Sequence, residues 1–288
     1  MNAREALAYG SDRLRQLAGE AGIDTPELDA EVLLRHALGV SREALFAHPE
    51  RALTAADWAA YQALLARRAA GEPVAYITGH REFMGLDFLV DRHVLIPRPE
   101  TELLVERALA CIQGEGERQV AVDAGTGSGA IAVSLARARP RLRVYATDTS
   151  AAALELARAN AERLLGPGQA QVICLLGDLL QPVPVEVDLV AANLPYVPTP
   201  ELNALPRPVR VYEPLQALDG GPDGLDPYRR LLRQVPAYLK AGGVLLMECD
   251  PRQAPTLRAL AEQALPEATV SIHRDLAGRD RLVEVRRP

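Results

Sequence analysis

From Gln119 to the C-terminus, the sequence alternates between short apolar runs of strand length and longer segments with apolar residues at helical spacing. This alternation is typical of βαβ units, whose strands form a mostly parallel sheet with helices on both faces. It therefore predicts an α/β fold with a doubly wound, mostly parallel sheet. Strands are predicted at 119–124, 143–148, 171–175, 187–192, 243–249 and 281–286, and helices at 129–138, 150–164, 226–239 and 252–264.

The first 70 or so residues follow a helical period instead. Thr25-Pro26 and Thr54 are suited to helix starts, and apolar residues recur at helical spacing after each of them. From Val74 to Leu95 the pattern changes to alternating apolar and polar residues, which predicts a hairpin. The predicted organisation is a small all-helical N-terminal domain at 1–74, a β-hairpin linker at 75–99 and a Rossmann-like catalytic domain at 100–288.

The composition argues against several classes of function, including membrane proteins and nucleic-acid-binding proteins. With 48% hydrophobic and 24% charged residues in 288, the chain can bury a full core. No apolar run approaches the roughly 20 residues of a spanning helix, so no membrane association is expected. Cys111, Cys174 and Cys249 lie far apart, which predicts no metal site and fits a cytoplasmic protein. A formal net charge of −6 offers no overall basic field, so no stable nucleic-acid binding is expected.

A glycine-rich loop, Gly125-Thr126-Gly127-Ser128-Gly129, connects the first predicted strand of the sheet to a helix. Glycines at such a turn let backbone N–H groups approach a ligand closely. Asp148 lies nineteen residues beyond Gly129, at the end of the next predicted strand. A carboxylate there can accept hydrogen bonds from the ribose hydroxyls of an adenosine-containing cofactor.

Two cofactors fit this loop. Gly125, Gly127 and Ala130 satisfy the dinucleotide pattern G-x-G-x-x-G/A, whereas the three loop glycines preceded by Asp123 match the pattern D-x-G-x-G-x-G of S-adenosylmethionine (SAM) methyltransferases. An acidic side chain suits a cofactor whose amino acid end carries an ammonium group, and it would repel a pyrophosphate. The loop therefore favours SAM.

The tetrapeptide Asn193-Leu194-Pro195-Tyr196 follows the strand predicted at 187–192 and should face the same crevice as the glycine-rich loop. The Asn193 side-chain oxygen and the Leu194 carbonyl can each accept one hydrogen of a planar –NH2 group. Tyr196 offers a flat face for stacking, and Pro195 holds Leu194 extended. This combination favours the methylation of an amide or of an exocyclic base amine.

The sequence resembles the release factor glutamine methyltransferases, the PrmC or HemK family, over nearly its whole length. Besides the two motifs above, the similarity includes Glu72 to Gly79, Glu82 to Leu86, Ile96 to Glu102, Tyr212 to Pro214 and Ala217 to Gly224. The resemblance implies methylation, with SAM, of the glutamine side chain in the Gly-Gly-Gln tripeptide of class I peptide chain release factors. It also implies that the helical N-terminal domain engages the protein substrate.

Carried over by position, the resemblance assigns two sets of residues. Substrate and catalysis are assigned to Asn193, Leu194, Pro195 and Tyr196. SAM contacts are assigned to Gly125, Thr126, Gly127, Ser128, Gly129, Asp148, Asp178, Leu179 and Asn193.

The chain departs from the family at one position, because Leu194 stands where the family usually has proline. Only the backbone carbonyl of that residue is needed, so activity is expected to be kept. Three other functions share these motifs: a glutamine methyltransferase for a ribosomal protein, an adenine N6 methyltransferase on DNA or RNA, and a SAM-binding adaptor without catalysis. The Ile96 to Glu102 stretch favours the release factor, and the acidic net charge disfavours nucleic acid.

Overall fold

The computed structural model describes residues 1–112, 119–166 and 171–288. Its helices are α1 Ala3–Ala21, α2 Pro26–Leu38, α3 Arg42–Ala47, α4 Ala55–Ala69, α5 Val74–Thr78, α6 Glu102–Cys111, α7 Ala130–Ala138, α8 Ala151–Leu165, α9 Arg207–Tyr212, α10 Asp226–Tyr238 and α11 Ala254–Ala264. Its strands are β1 His80–Phe83, β2 Leu86–Leu89, β3 Val120–Ala124, β4 Arg143–Asp148, β5 Val172–Leu176, β6 Val187–Ala192, β7 Leu239–Glu248, β8 Thr269–Arg274 and β9 Asp280–Arg286.

The chain divides into two compact units. One comprises Met1–His80 together with Ala204–Glu213, and the other comprises Arg81–Asn203 together with Pro214–Pro288. The segment Ala204–Glu213 falls inside the predicted 100–288 domain but clusters with the N-terminal helices, because the Arg207 and Tyr212 side chains both donate to the Ala70 carbonyl. The functional division into 1–74, 75–99 and 100–288 stays a prediction.

The N-terminal unit is helical because its sequence supplies both caps and a continuous apolar face. Asn2 and Thr54 each form a capping box at the start of α1 and α4, which satisfies two otherwise unpaired backbone donors. Leu14, Leu33 and Leu65 are completely buried in the core that α1, α2 and α4 share.

The predicted hairpin linker at 75–99 is partly wrong, since its first residues form helix α5. Pro73 precedes this helix, the Thr78 hydroxyl donates to the Val74 carbonyl at 3.0 Å, and Gly79 ends the helix in a left-handed conformation. Tyr76 and Ile77 are adjacent and both buried, which a helical turn against the N-terminal core permits. The hairpin itself is shorter and consists of β1 and β2.

The larger unit is built on a seven-stranded sheet with the order β5-β4-β3-β6-β7-β9-β8. The pairs among β5, β4, β3, β6 and β7 are parallel, and β9 runs antiparallel to both of its neighbours. The predicted doubly wound, mostly parallel sheet is therefore confirmed. Strand β8 was not predicted, because this edge strand contains no continuous apolar run and ends in the polar residues His273 and Arg274.

The two faces of the sheet carry separate apolar cores, as the alternation of side chains along a strand requires. Val190 and Leu245 lie on the face covered by α10 and α11, whereas Leu189 and Leu246 lie on the face covered by α6 and α7. All four are at most 1% exposed.

Among the described residues, every helix is too short or too polar to cross a membrane.

Candidate active site

The order of the strands reverses at β3, whose neighbours in the sheet are β4 and β6. In a doubly wound sheet, ligands bind outside the carboxyl ends of the strands at such a point. A cleft of about 390 Å³ opens there, which is within the range of roughly 300–1,000 Å³ for small-molecule sites. Its lining includes the loop Gly125–Ser128, Asp148, the Asp178-Leu179 pair and the turn Asn193–Pro195. The structure thus brings both predicted motifs to one cleft.

The three glycines of the loop adopt left-handed conformations, with φ of 77° at Gly125, 53° at Gly127 and 80° at Gly129. A β-carbon at Gly125 would lie 2.8 Å from Leu194 Cδ2, and one at Gly129 would lie 3.1 Å from Ala157 Cβ. Among the described residues, no atom lies within 4 Å of a β-carbon built at Gly127. Packing therefore explains the first and third glycines, and the second leaves open space in the cleft.

Asp123 does not have the environment predicted for it. Its side chain is completely buried, and its Oδ2 atom accepts from the Thr126 hydroxyl at 2.6 Å and from the Ala132 N–H at 3.0 Å. Burial raises the pKa of this carboxyl to about 7, although both hydrogen bonds act in the opposite direction. Asp123 belongs to β3, and its Oδ2 atom links the loop to the first turn of α7, while its Oδ1 atom is buried without a hydrogen-bond partner among the described residues.

Asp148 ends β4 and binds the glycine-rich loop. Its Oδ2 accepts from the Gly127 N–H at 3.0 Å, and its Oδ1 accepts from the Ser150 N–H at 2.8 Å. An ionised carboxylate has about four acceptor sites. These two backbone bonds therefore leave lone pairs on both oxygens for a ligand in the cleft, and they fix the direction in which the oxygens point.

The Asp178-Leu179 pair follows β5 and forms another wall of the cleft. Leu179 has φ of 56°, a left-handed conformation that is uncommon for a residue with a side chain. Gln234 on α10 holds this turn, because its side chain accepts from the Leu180 N–H at 2.8 Å and donates to Asp178 at 3.3 Å. The backbone is thus fixed in an unusual conformation where a ligand would contact it.

Asn193 follows β6, and its side chain is held from one side. Its Nδ2 atom donates to the hydroxyl of Thr101, which is 5% exposed, at 2.9 Å. Because the amide nitrogen is engaged there, the Asn193 Oδ1 atom is the end of the amide that can accept from a ligand. This matches the acceptor role that the sequence predicts.

Leu194 is 4% exposed and packs into the core under the glycine-rich loop. Its N–H donates to the hydroxyl of the completely buried Tyr228 at 3.2 Å, and its carbonyl lies 3.3 Å from the same oxygen. The Tyr228 hydroxyl also bonds to the Glu248 carbonyl. Since proline has no N–H, the bond from Leu194 to Tyr228 is a restraint available only to a non-proline residue here.

Tyr196 is partly buried, and its side chain packs against the core to which α10 and α11 contribute. Burial raises its pKa to about 12. Of the four motif residues, Asn193, Leu194 and Pro195 line the cleft, and Tyr196 is not among the described lining residues.

Gln253 attaches the loop at 219–224 to this motif. Its side-chain nitrogen donates to the carbonyls of Tyr196 at 2.8 Å and Asp223 at 2.9 Å. Val197 extends the connection by exchanging backbone hydrogen bonds with Leu218 and Gly220. Residues 219–221 consequently form part of the cleft wall.

Sequence reasoning missed four side chains that hold the site in place: Thr101, Tyr228, Gln234 and Gln253. Each bonds to a motif more than 30 residues away in the chain, so no local pattern reveals the contact. Thr101 lies within the stretch Ile96 to Glu102, which the family resemblance includes, and this is the only indication in the sequence for any of the four side chains.

Comparisons with known proteins agree with this geometry. The family model for the PrmC N-terminal domain matches residues 5–79, and the model for the methyltransferase small domain matches residues 100–204. A solved methyltransferase from Pyrococcus furiosus has the same fold, with a TM-score of 0.51 and 19% identity over 70% of this chain and 89% of that one. The fold and the site thus define a Rossmann-like methyltransferase.

Relatives of known function show which family of methyltransferases the chain belongs to. The release factor glutamine methyltransferase of Moorella thermoacetica is 46% identical over 93% of this chain and 96% of its own length. That of Cereibacter sphaeroides is 43% identical over 100% of this chain and 99% of its own length. The chain belongs to the release factor glutamine methyltransferase family.

Proposed function

We propose that this enzyme transfers a methyl group from SAM to the side-chain amide nitrogen of the glutamine in the Gly-Gly-Gln motif of class I peptide chain release factors. The observation that carries the proposal is the 46% identity, over 93% of the chain, to a protein named for this activity. The proposal places the enzyme in translation termination and in the cytoplasm.

The cleft fits SAM by the chemistry of its donors and acceptors. The carboxylate of Asp148 keeps lone pairs for two ribose hydroxyls, and the open space at Gly127 admits the amino acid end of the cofactor against the loop. Asp178 and Leu179 would border the base. When bound, SAM supplies a methyl group on a positively charged sulfur, which is an electrophile that needs no metal.

The chain's own residues prepare the nucleophile. An amide nitrogen is weakly nucleophilic because its lone pair is delocalised into the carbonyl. The Asn193 oxygen and the Leu194 carbonyl each accept one N–H of the substrate amide, which orients the nitrogen and returns electron density to it. Positioning of this kind can lower a barrier by roughly 7–11 kcal/mol in favourable cases. As the N–C bond forms, the methyl–sulfur bond breaks and its electron pair stays on sulfur. The proton then passes to solvent, since the alkylated nitrogen is strongly acidic.

Pro195 and Tyr196 complete the proposed substrate site. Pro195 restrains Leu194, and Tyr196 stiffens the far end of the turn through the bond from Gln253 to its carbonyl. The stacking role predicted for Tyr196 requires one face of its ring to be reached from the cleft, and the ring is only partly buried against the core.

The helical N-terminal region is proposed to engage the release factor, which is supported by its match to the PrmC N-terminal domain at residues 5–79. Nucleic acid is not a proposed substrate, since the formal net charge of −6 provides no general attraction for phosphates.

Mass spectrometry of a purified class I release factor after incubation with the enzyme and SAM tests the function. The peptide containing Gly-Gly-Gln should gain one methyl group on its glutamine, and no gain should occur with Asn193→Ala. Parallel reactions with ribosomal proteins and with DNA and RNA identify the alternatives. Methylation of one of these, with the release factor unmodified, would overturn the proposal.

A further inference from the structure

A buried hydrogen-bonded chain leads from Glu248, at the end of β7, through Thr101 to Asn193. Glu248 is 1% exposed and Thr101 is 5% exposed. The Asn193 Nδ2 atom donates to the Thr101 hydroxyl oxygen at 2.9 Å. The same hydroxyl faces the Glu248 carboxyl and lowers the pKa of that group as its hydrogen-bond partner. Thr101 lines the cleft beside Asn193, whereas Glu248 is not among the described lining residues and is buried in the protein interior.

The hydrogen bonds that connect Asn193, Thr101 and Glu248 all run in one direction. A hydroxyl has one hydrogen to donate, and an ionised carboxylate can only accept. Thr101 therefore gives its hydrogen to Glu248 and receives one from Asn193. If the Asn193 amide were rotated by 180°, its oxygen would face the Thr101 oxygen with no hydrogen between them.

We propose that Thr101 and Glu248 are positioning residues that hold the Asn193 amide with its oxygen toward the substrate. The inference rests on the proposed function, in which that oxygen accepts an N–H of the substrate glutamine. A rotated Asn193 would present its own N–H groups to the substrate amide, and two donors would then face each other. Thr101 and Glu248 touch neither the substrate nor the cofactor in this scheme, and they act through Asn193.

Charged and titratable groups surround Glu248 from several elements. They are Arg98 and Glu100 before α6, Tyr196 after β6, Tyr228 on α10, Cys249 and Asp250 after β7, and Arg281 on β9. Burial raises the pKa of Glu248 to about 7, whereas the Thr101 hydrogen bond and the two arginines lower it. The carboxylate that fixes the direction of the chain is thus the main form at pH 8, and its protonated form can donate to Thr101 instead.

Thr101→Val in the full-length enzyme tests the inference, with Thr101→Ser as the matched control. Valine keeps the shape of threonine and removes the hydroxyl, whereas serine keeps the hydroxyl. At pH 8, kcat for release factor methylation should fall about 10- to 100-fold in the valine variant, as is typical when a group that orients a functional side chain is lost. The serine variant should retain most of the wild-type kcat. SAM affinity by calorimetry should be unchanged in both.

Glu248→Gln and the double variant show whether Glu248 acts through Thr101. An amide can donate as well as accept, so the glutamine no longer fixes the direction, and kcat should fall. The double variant should lose no more activity than Thr101→Val alone, because both changes break the same chain. The wild-type kcat should also decline as the pH falls below about 7, and this decline should be smaller in Glu248→Gln.

Several outcomes would overturn the inference. The inference fails if Thr101→Val keeps the wild-type kcat, or if the valine and serine variants lose the same fraction of kcat. It also fails if the losses of kcat in the two single variants multiply in the double variant. Thermal unfolding and SAM affinity of every variant separate a loss of kcat from a loss of folding. If the wild-type enzyme does not methylate the release factor while it binds SAM, the proposed function fails instead.

Discussion

Replacing Asp148 by asparagine removes one negative charge and one acceptor oxygen with almost no change in shape. In the structure, the two carboxylate oxygens accept from Gly127 at 3.0 Å and from Ser150 at 2.8 Å. Asparagine can accept only one of these bonds, and its –NH2 group would face the other N–H. The substitution should therefore loosen the glycine-rich loop as well as the proposed ribose contact.

The magnitude follows from these contacts. A hydrogen bond to a charged group contributes about 1.5–3 kcal/mol. Loss of one such bond to a ribose hydroxyl corresponds to a Kd for SAM roughly 10- to 150-fold higher. Loss of the bond from the Gly127 N–H lowers the free energy of unfolding by a similar amount, because this donor then faces the –NH2 group of the asparagine.

Isothermal calorimetry with SAM measures the first effect, and thermal unfolding without ligand measures the second. Asp188→Asn is a matched control, because Asp188 lies in β6 of the same sheet and accepts from the Val120 N–H at 2.8 Å and from Lys240 at 3.0 Å. The control should lose stability and keep its SAM affinity. If Asp148→Asn bound SAM as tightly as the wild type, the ribose assignment would be refuted.

Four further predictions concern the loop and the turn after β6. Asn193→Ala should lower kcat by about 10²- to 10³-fold, as is common when one preorganised polar group is removed, and calorimetry should show little change in SAM affinity. Gly125→Ala should lower both Tm and activity, since its β-carbon would lie 2.8 Å from Leu194 Cδ2 and the site has φ of 77°; normal values for both would contradict this account. Tyr228→Phe leaves the Leu194 N–H without its partner and should cost about 1–3 kcal/mol of unfolding free energy, less of it when position 194 is also changed to proline. The pKa of Asp123 is raised to about 7 in the folded state, so its contribution to stability is greatest below its ordinary value of 3.8 and is lost as the pH rises through 7; between pH 5 and 8, Tm should therefore fall less in Asp123→Asn than in the wild type, and equal slopes would argue against a buried proton there.

Most strands and helices of the larger unit follow from local patterns. The predicted strands at 143–148 and 187–192 coincide with β4 and β6, because each contains a short apolar run, at 144–146 and 189–192, that is followed by polar residues. Helix α5 was missed because five residues are too few to show a helical period. What makes that segment helical is the buried environment of Tyr76 and Ile77.

The direction of individual side chains was harder to predict. Asp123 occupies the position expected from the motif, but its hydrogen bonds are internal. Leu194 stands where the family usually has proline, and it lacks the ring that would restrain the turn. The structure shows that its N–H and side chain supply other restraints, through Tyr228 and through packing under Gly125.

Most of the sheet, the glycine-rich loop, Asp148 and the turn that begins at Asn193 could be predicted, because short-range periodicity and spacing encode each of them. The direction of the Asn193 amide and the contacts that hold it could be found only in the folded molecule. That direction depends on Thr101 and Glu248. Thr101 lies 92 residues before Asn193 in the chain, and Glu248 lies in a different strand, β7. Such contacts form when distant segments pack, and a buried hydrogen bond has direction only once both partners are in place.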